Sequence, residues 1–321
     1  MKLNISPAPH FTDRFSTRGI MLDVIIALVP ALGVGIWIFG LRSLVVTVVC
    51  VAACMIFECL FQLLARRKNT IGDLSAALTG MILALNLPVT IPLWQAVFGC
   101  FIAIILVKMV FGGIGKNFAN PAAAARVVML VIFSGTMTQW LQVPVPFWAN
   151  ITLFATPSVD GITAATPLVL LGSGAWWDMP TNLTLFIGQH GGTIGETSEL
   201  ALLLGGIYLL VRRVISWHAP VGFIGTVFIL AFLQGGCNTA LQHILTGGLF
   251  LGAIFMATDY VSTPLTKSGR LVFGIGCGIL TMVVRLFGGY PEGVSLAILF
   301  MNVLVPFINK LTAKKALGGK Y

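Results

Sequence analysis

The chain has 321 residues, of which 57% are hydrophobic and only 9% are charged. A soluble globular domain carries roughly a quarter charged residues, so this composition excludes a protein that faces water over its whole surface. The formal net charge is +9, but the basic residues lie in short clusters between apolar runs. This arrangement is typical of membrane proteins, so the expected partner is the lipid bilayer and not a nucleic acid.

Apolar runs follow one another along almost the whole chain. A transmembrane helix needs about 20 predominantly apolar residues, and the sequence has room for about ten such helices. The runs lie at 19–40, 43–65, 73–90, 92–111, 121–140, 199–213, 219–235, 242–260, 270–288 and 293–310. The predicted fold class is therefore an all-α integral membrane protein of about ten transmembrane helices. Residues 1–18 do not have the pattern of a cleavable signal peptide.

Basic clusters between the runs predict how the helices are oriented. Arg66-Arg67-Lys68, Lys116, Arg212-Arg213 and Lys267 each follow an even number of crossings, as does the lysine-rich C-terminal tail. Because basic loops face the cytoplasm, both termini are predicted to be cytoplasmic. Arg42, between the first two runs, is the one loop charge on the opposite side.

The same topology divides the chain into three parts. Residues 1–140 and 199–321 each contain five runs, and residues 141–198 form a segment outside the cytoplasm. Leu78-Thr79-Gly80 in the third run matches Leu245-Thr246-Gly247 in the eighth. Because five is an odd number, the second half enters the membrane in the opposite orientation. We therefore predict two inverted five-helix repeats, a plan found in many transporters.

The Pro- and Gly-rich segment 141–198 carries the most specific chemical signal. Residues 160–166 read Asp160-Gly161-Ile162-Thr163-Ala164-Ala165-Thr166. Gly161 permits a tight turn, and small residues such as Ala165 leave room for a bulky group beside the Thr166 hydroxyl. This heptad resembles the flavinylation site D-G-x-[ST]-[GSA]-A-T of membrane and periplasmic redox subunits. Ala164 stands where Ser or Gly is more usual, which is a mild departure from that pattern.

The resemblance implies a covalent cofactor on this segment. In that family a flavin transferase moves FMN from FAD onto the last threonine as a phosphoester, which here is Thr166. Asp160, Gly161, Thr163 and Ala165 would belong to the same attachment site. Asp160 is either a residue that the transferase recognises or a carboxylate that caps a turn, and both readings remain open.

Further motifs from end to end of the chain resemble a single family. Besides the heptad they are Ser6-Pro7-Ala8-Pro9-His10, the segment 72–80, the segment 111–117, Ile194-Gly195-Glu196-Thr197-Ser198, the segment 255–260 and Gly289-Tyr290-Pro291-Glu292-Gly293. Together they resemble the D subunit of the Rnf complex, the ion-translocating ferredoxin:NAD⁺ oxidoreductase. The B subunit of the sodium-translocating NADH:quinone oxidoreductase is the close relative and the first alternative. That relative usually has a longer N-terminal extension, which favours the Rnf protein.

The resemblance also implies the setting in which the chain works. It would be a multi-pass subunit of the bacterial inner membrane and part of a translocase, not a complete enzyme alone. It would pass electrons between the ferredoxin and NAD⁺ sides, coupled to Na⁺ or H⁺ translocation. Its expected partners are the flavin transferase and the other Rnf subunits, especially the second covalent-flavin subunit and the small membrane subunits. The relatives hold a second, noncovalent flavin, for which the sequence offers no motif. No catalytic residue and no metal ligand is predicted here.

Ionisable residues inside the apolar runs are the remaining candidates. Such groups are costly in a membrane and are functional by default. They are Asp23, Glu58, Asp73, Lys108, Arg126, Asp259, Arg285 and Glu292. Glu58 is among the deepest, so we expect a cation such as Lys108, a water-filled cavity, or a bound sodium ion or proton beside it. The sequence leaves open whether Glu58 and Asp23 line an ion path or form structural pairs.

A solute permease is the alternative from another functional class. Inverted repeats of five helices are a transporter plan, and a permease could have the same apolar runs. A permease, however, has no need of the heptad that ends at Thr166. A flavin that stays on the denatured chain would distinguish the two functions.

Overall fold

The computed structural model describes residues 16–67, 70–141, 166–173, 179–288 and 293–313, with only the backbone of Ser173. This part of the chain is all-helical. The helices are α1 (Thr17–Phe39), α2 (Leu41–Leu64), α3 (Ser75–Leu85), α4 (Leu93–Phe101, continued as a π-helix over Ile102–Met109), α5 (Pro121–Ile132), α6 (Ser134–Met137), α7 (Pro167–Ser173), α8 (Asn182–Ile187), α9 (Glu199–Val211), α10 (His218–Ile244), α11 (Leu249–Leu251, continued as a π-helix over Gly252–Met256), α12 (Lys267–Phe287) and α13 (Val294–Thr312).

Five of these helices, α1, α2, α10, α12 and α13, are long and apolar enough to cross a membrane. The helices α3, α4 with its continuation, α5 and α9 are apolar but shorter. Large apolar side chains such as Trp37, Leu64 and Phe287 are exposed on the outer surface, where lipid would cover them. The predicted class, an all-α membrane protein, is confirmed.

Helix α3 is much shorter than the predicted run 73–90. It ends at Leu85, and the Asn86 side chain donates to the Ile82 carbonyl at 2.7 Å. Pro88 follows, and the residue before a proline disfavours helical dihedrals. The chain between α3 and α4 is therefore buried but not helical.

The non-helical chain after α3 is held by Arg42. Arg42 is the second residue of α2, and its side chain is buried. It donates from Nε to the Val89 carbonyl at 2.9 Å and from Nη2 to the Ile91 carbonyl at 3.0 Å. Backbone without helical hydrogen bonds needs such partners at membrane depth. The sequence-based assignment of Arg42 to a loop is therefore wrong, which explains why its charge departs from the positive-inside pattern.

The predicted run 242–260 is also interrupted. Gly247 and Gly248 have φ values of +77° and +61°, a conformation that favours glycine, and they separate α10 from α11. Arg285 from α12 donates to the carbonyls of His243 at 2.6 Å and Thr246 at 2.8 Å. A buried arginine thus supports the broken helix here as Arg42 does beside α3.

Close helix contacts in the interior depend on small residues. A Cβ atom on Gly205 would overlap the Ala27 carbonyl oxygen, where α9 crosses α1, and one on Gly274 would overlap the Ala219 carbonyl oxygen, where α12 crosses α10. Small residues of this kind let helix backbones approach each other in membranes.

The start of α5 is as the sequence indicates. Asn120 Oδ1 accepts from the Ala122 and Ala123 amides, and Pro121 occupies the first helical position, where its missing N–H costs nothing. Local chemistry alone therefore determines where this helix begins.

Candidate functional site

Thr166 is the one residue of the predicted attachment site that the structure describes. Asp160, Gly161, Thr163 and Ala165 lie outside the described residues. Thr166 is buried and precedes α7, and its Oγ1 accepts from the Val169 amide at 3.3 Å. The hydroxyl thus stands at a helix start.

Helix α7 lies beside the break between α10 and α11. A Cβ atom on Gly247 would lie 2.7 Å from Leu168 Cδ2 and 2.6 Å from Arg285 Nη2. Leu168 is two residues after Thr166, so the Arg285 guanidinium approaches the helix that Thr166 begins. This guanidinium is a buried positive charge close to Leu168 in the first turn of α7.

A cavity of about 350 Å³ lies between α1, α3, the ends of α4 and α9, the start of α5 and the chain after α11. Its volume is in the range of small-molecule sites. Apolar side chains form most of the wall, and polar groups reach it from Ser75, Thr79, Lys108, Asn117, Asn120, Thr258 and Asp259. Asn117 Oδ1 is buried and has no hydrogen-bond partner among the described residues. An unpartnered acceptor in a cavity wall is a group that a ligand can satisfy.

Asp259 contributes a carboxylate to the same wall. Its Oδ2 accepts from the Ser262 hydroxyl at 2.9 Å, and its Oδ1 accepts from the Val261 amide at 3.5 Å. These local contacts fix the carboxylate at the cavity wall. The sequence had identified Asp259 only as one ionisable residue of an apolar run.

Glu58 and Lys108 form the ion pair that the sequence left as one of several options. Lys108 Nζ donates to Glu58 Oε2 at 2.6 Å and to Ser75 Oγ at 2.6 Å. The other carboxylate oxygen, Oε1, accepts from Gln62 Nε2 at 3.2 Å and from Thr70 Oγ1 at 3.0 Å. A buried charge is tolerated when it is paired and hydrogen-bonded, so this network is complete without a bound ion.

Asp23 is also paired, but at the other end of α9. It accepts from the Tyr208 hydroxyl at 3.0 Å and from Arg212 Nη2 at 3.1 Å. These contacts join α1 to α9, and they assign Asp23 to a structural pair.

Two further buried carboxylates, Glu196 and Glu199, were not among the ionisable candidates. Glu196 Oε2 accepts from the Thr193 hydroxyl at 3.0 Å, and Glu199 is the first residue of α9. A signal was present, because Glu199 opens the predicted run 199–213. The sequence did not indicate that the Glu196 carboxylate interacts electrostatically with Arg126 from α5 and with Arg285 from α12.

The segment before α9 is held against the end of α3. The amides of Ile194 and Gly195 donate to the carbonyls of Leu87 at 3.1 Å and Leu85 at 2.8 Å. On α5, Arg126 Nη1 donates to Asn86 Oδ1 at 2.6 Å. The end of α3, the middle of α5 and the start of α9 therefore meet in one buried polar layer.

Comparison with known proteins identifies the family. Residues 4–318 match the model of the NQR2, RnfD, RnfE family. The D subunit of the Na⁺-translocating ferredoxin:NAD⁺ oxidoreductase complex of Acetobacterium woodii is 44% identical, over 99% of this chain and 96% of the relative. The D subunit of the proton-translocating complex of Clostridium ljungdahlii is 38% identical, over 98% and 96%. The D subunit of the ion-translocating oxidoreductase complex of Stutzerimonas stutzeri is 40% identical, over 95% and 93%. This chain belongs to the NQR2, RnfD, RnfE family.

Proposed function

We propose that this chain is the membrane-embedded D subunit of an ion-translocating ferredoxin:NAD⁺ oxidoreductase complex of a bacterial inner membrane. The observation that carries the proposal is the near full-length similarity to D subunits from three bacteria. In this role the chain passes electrons between the ferredoxin and NAD⁺ sides, coupled to Na⁺ or H⁺ translocation. It works with the other subunits of the complex, including a second covalent-flavin subunit and small membrane subunits.

The flavin-bearing subunit of the related Na⁺-translocating NADH:quinone reductase is the second candidate, because the matching family model includes NQR2. Purified complexes distinguish the two functions by their electron partners. Oxidation of reduced ferredoxin with NAD⁺ supports the first candidate, and oxidation of NADH with a quinone supports the second.

We propose that FMN is attached to Thr166 as a phosphoester. The resemblance of residues 160–166 to a flavinylation site supports this, as does the position of Thr166 at the start of α7, where Leu168 lies close to Arg285. The Arg285 guanidinium supplies positive charge near the expected phosphate. FMN supplies one- and two-electron chemistry when bound, and the chain holds and orients it. A flavin transferase is the expected modifying partner.

The experiment that tests attachment is a denaturing gel of the purified chain under ultraviolet light. We expect fluorescence from the unaltered chain and from Thr184→Val, and none from Thr166→Val, because valine has no hydroxyl for the phosphoester. Thr184→Val is the matched control, since it changes a threonine of the same segment 141–198 outside the heptad. Fluorescence that persists in Thr166→Val would contradict the assignment to Thr166. A permease would give no fluorescence in any variant.

The cavity of about 350 Å³ is the site we propose for a second, noncovalent flavin. Its apolar walls suit a flat aromatic ring system, and Asn117, Asn120 and Asp259 offer polar groups at the wall. Asn117 Oδ1 is buried and has no partner among the described residues, so it can accept a hydrogen bond from a ring N–H when the side chain turns toward the cavity. Asn117→Leu should lower the amount of flavin released on denaturation while the Thr166 flavin remains.

We also propose that the fold contains ten spans in two inverted repeats, α1–α5 and α9–α13. The packing supports this arrangement, because α2 packs on α3 and α4 as α10 packs on α11 and α12. Likewise α5 packs on α4 as α13 packs on α12, and α1 contacts α9 as α5 contacts α13. In each half the third helix is the shortest of the five, as expected for the discontinuous helices of such repeats.

The proposed orientation has both termini in the cytoplasm. The basic residues Arg66 and Arg212 follow the ends of α2 and α9, which supports it. Cysteine probes are introduced at Ser173 and Asn69 on a background without native cysteines, and intact cells are labelled from outside. We expect modification at Ser173 and not at Asn69. The reverse pattern would overturn the orientation.

A further inference from the structure

A fully buried carboxylate without a hydrogen-bond partner stands at the start of α9. Glu199 has no exposed surface, and neither of its oxygens accepts a hydrogen bond from a described residue. Helix α9 has 13 residues, so Glu199 lies about 20 Å from the helix end at Arg212, at 1.5 Å per residue. A hydrocarbon core is about 30 Å thick, so with Arg212 at the cytoplasmic face, as proposed above, this carboxylate lies inside it.

The nearest charged groups come from three directions. Glu196, three residues earlier, and Arg285 from α12 act directly on Glu199. Arg126 from α5 and His190 act on Glu196. A Cβ atom on Gly248 would lie 3.7 Å from Arg126 Nη1 and 3.8 Å from Glu196 Cδ, so these two side chains are close neighbours.

The other elements packed against α9 add little charge near Glu199. Helix α11 with its continuation, residues 249–256, has no titratable side chain. On α1, Asp23 is paired with Arg212 at the far end of α9. From α10, His243 acts on Arg285. The electrostatic surroundings of Glu199 therefore depend mainly on Glu196 and Arg285.

Two opposing effects act on the Glu199 carboxyl. Arg285 and the start of helix α9 favour ionisation. Complete burial without a donor favours the protonated form, and so does the neighbouring Glu196 carboxylate. A metal cation at the same place would meet the Arg285 guanidinium, whereas a proton enters the carboxyl without a coordination shell. The balance suits a group that binds and releases a proton.

The cavity described above ends one helical turn below this region. Ile82 and Ala122 line it, and four residues further along their helices are Asn86 and Arg126, which are hydrogen-bonded to each other. One turn of helix spans about 5.4 Å. Arg126 in turn lies beside Glu196. Asn86, Arg126 and Glu196 thus form a polar layer about one helical turn from the cavity, and the start of α9 with Glu199 meets this layer.

We propose that Glu199 is a proton-binding site inside the membrane, which exchanges its proton with water that reaches the layer formed by Asn86, Arg126 and Glu196 from the cavity. The step is the binding and release of one proton by one carboxylate. The binding of a proton does not depend on the proposed function. A role of Glu199 in ion translocation does rest on that function, because Glu199 would then bind and release its proton as electrons pass through the complex.

Infrared spectroscopy of the whole purified complex tests proton binding directly, because the C=O stretch of a protonated carboxyl is separate from that of a carboxylate. We expect Glu199→Gln to remove one component of this band. Asp23→Asn is the matched control on the same helix pair, and it should leave the band unchanged because Asp23 is ion-paired. An unchanged band in Glu199→Gln would overturn the proposal. Loss of the same band component in Asp23→Asn would also overturn it, because the component would then belong to Asp23.

A second variant covers the case in which Glu199→Gln fails to fold. Glu199→Asp keeps the carboxyl, and it should shift the frequency of the band component rather than remove it. A band that is identical in Glu199→Asp and in the unaltered complex would overturn the proposal without use of the glutamine variant.

Ion uptake by membrane vesicles tests the role in coupling. The measured quantity is the number of ions taken up per NADH formed, and we expect Glu199→Gln to lose uptake and Asp23→Asn to keep it. Unchanged uptake in Glu199→Gln would overturn the coupling role. Flavin fluorescence of the chain is followed in the same samples. Its absence would contradict the proposed function but would leave the infrared result for Glu199 valid.

Discussion

Glu58 and Glu199 are both buried in the interior of the helix bundle, but they differ in the hydrogen-bond donors that surround them. Glu58 accepts from Lys108, Gln62 and Thr70, whereas Glu199 has no partner among the described residues. A buried charge with a cation and several hydrogen-bond donors holds helices together. A buried carboxyl without donors adds little to the fold, so the comparison assigns stability to Glu58 and chemistry to Glu199.

The difference arises from the elements that surround each group. Glu58 lies in the middle of a helix, and partners reach it from α2, α4 and the chain that precedes α3. Glu199 lies at a helix start, where Ser198 caps the backbone by accepting from Ala201. The local polar groups there serve the main chain, and none of those that the structure describes donates to the Glu199 side chain.

Removal of Lys108 should have the largest effect on stability. Lys108→Met leaves the Glu58 carboxylate buried without its cation, which costs about 3–5 kcal/mol. The measurement is the free energy of unfolding of the purified chain in mixed micelles. The double variant Glu58→Met with Lys108→Met is the control, and it should regain most of the loss because an apolar pair needs no compensation. If Lys108→Met is as stable as the unaltered chain, the Glu58–Lys108 pair does not have the structural role that the comparison with Glu199 assigns to it.

Removal of Arg42 should have an intermediate effect. Arg42→Met leaves the carbonyls of Val89 and Ile91 without their donor, and we expect a loss of about 1–3 kcal/mol in the free energy of unfolding. Arg67 is exposed near the end of α2, so Arg67→Met serves as the matched control and should change stability by about 0.5 kcal/mol or less. Equal effects of the two substitutions would show that Arg42 does not support the broken helix.

Replacement of Glu199 should have the smallest effect on stability. Glu199→Gln removes no hydrogen bond that the described residues make, so the free energy of unfolding should change by less than about 1 kcal/mol. Glu58→Gln, the same substitution in the paired carboxylate, should cost more because it leaves Lys108 buried without a counter-charge. The same unfolding titration measures both. A loss for Glu199→Gln as large as that for Lys108→Met would mean that Glu199 has a structural partner.

Local chemistry made several features predictable. The apolar composition determined the all-α membrane class, and the neighbouring Asn120 and Pro121 determined the start of α5. The cost of a bare carboxylate made a partner for Glu58 predictable, with Lys108 as one option. The ten spans, their orientation and the flavin on Thr166 stay predictions, because residues 142–165 lie outside the described part of the chain.

Long-range contacts decided the rest. Hydropathy gave one apolar run over 73–90, and Pro88 is a local reason for α3 to end early, but only the packing shows that Arg42, which lies far upstream, satisfies the backbone that follows. The layer of Asn86, Arg126 and Glu196 beside Glu199 joins residues that are distant in the chain. Apolar runs determine that a segment is buried, since hydropathy is a property of each residue. Which polar group meets which depends on the packing of several helices, and that information is present only in the tertiary structure.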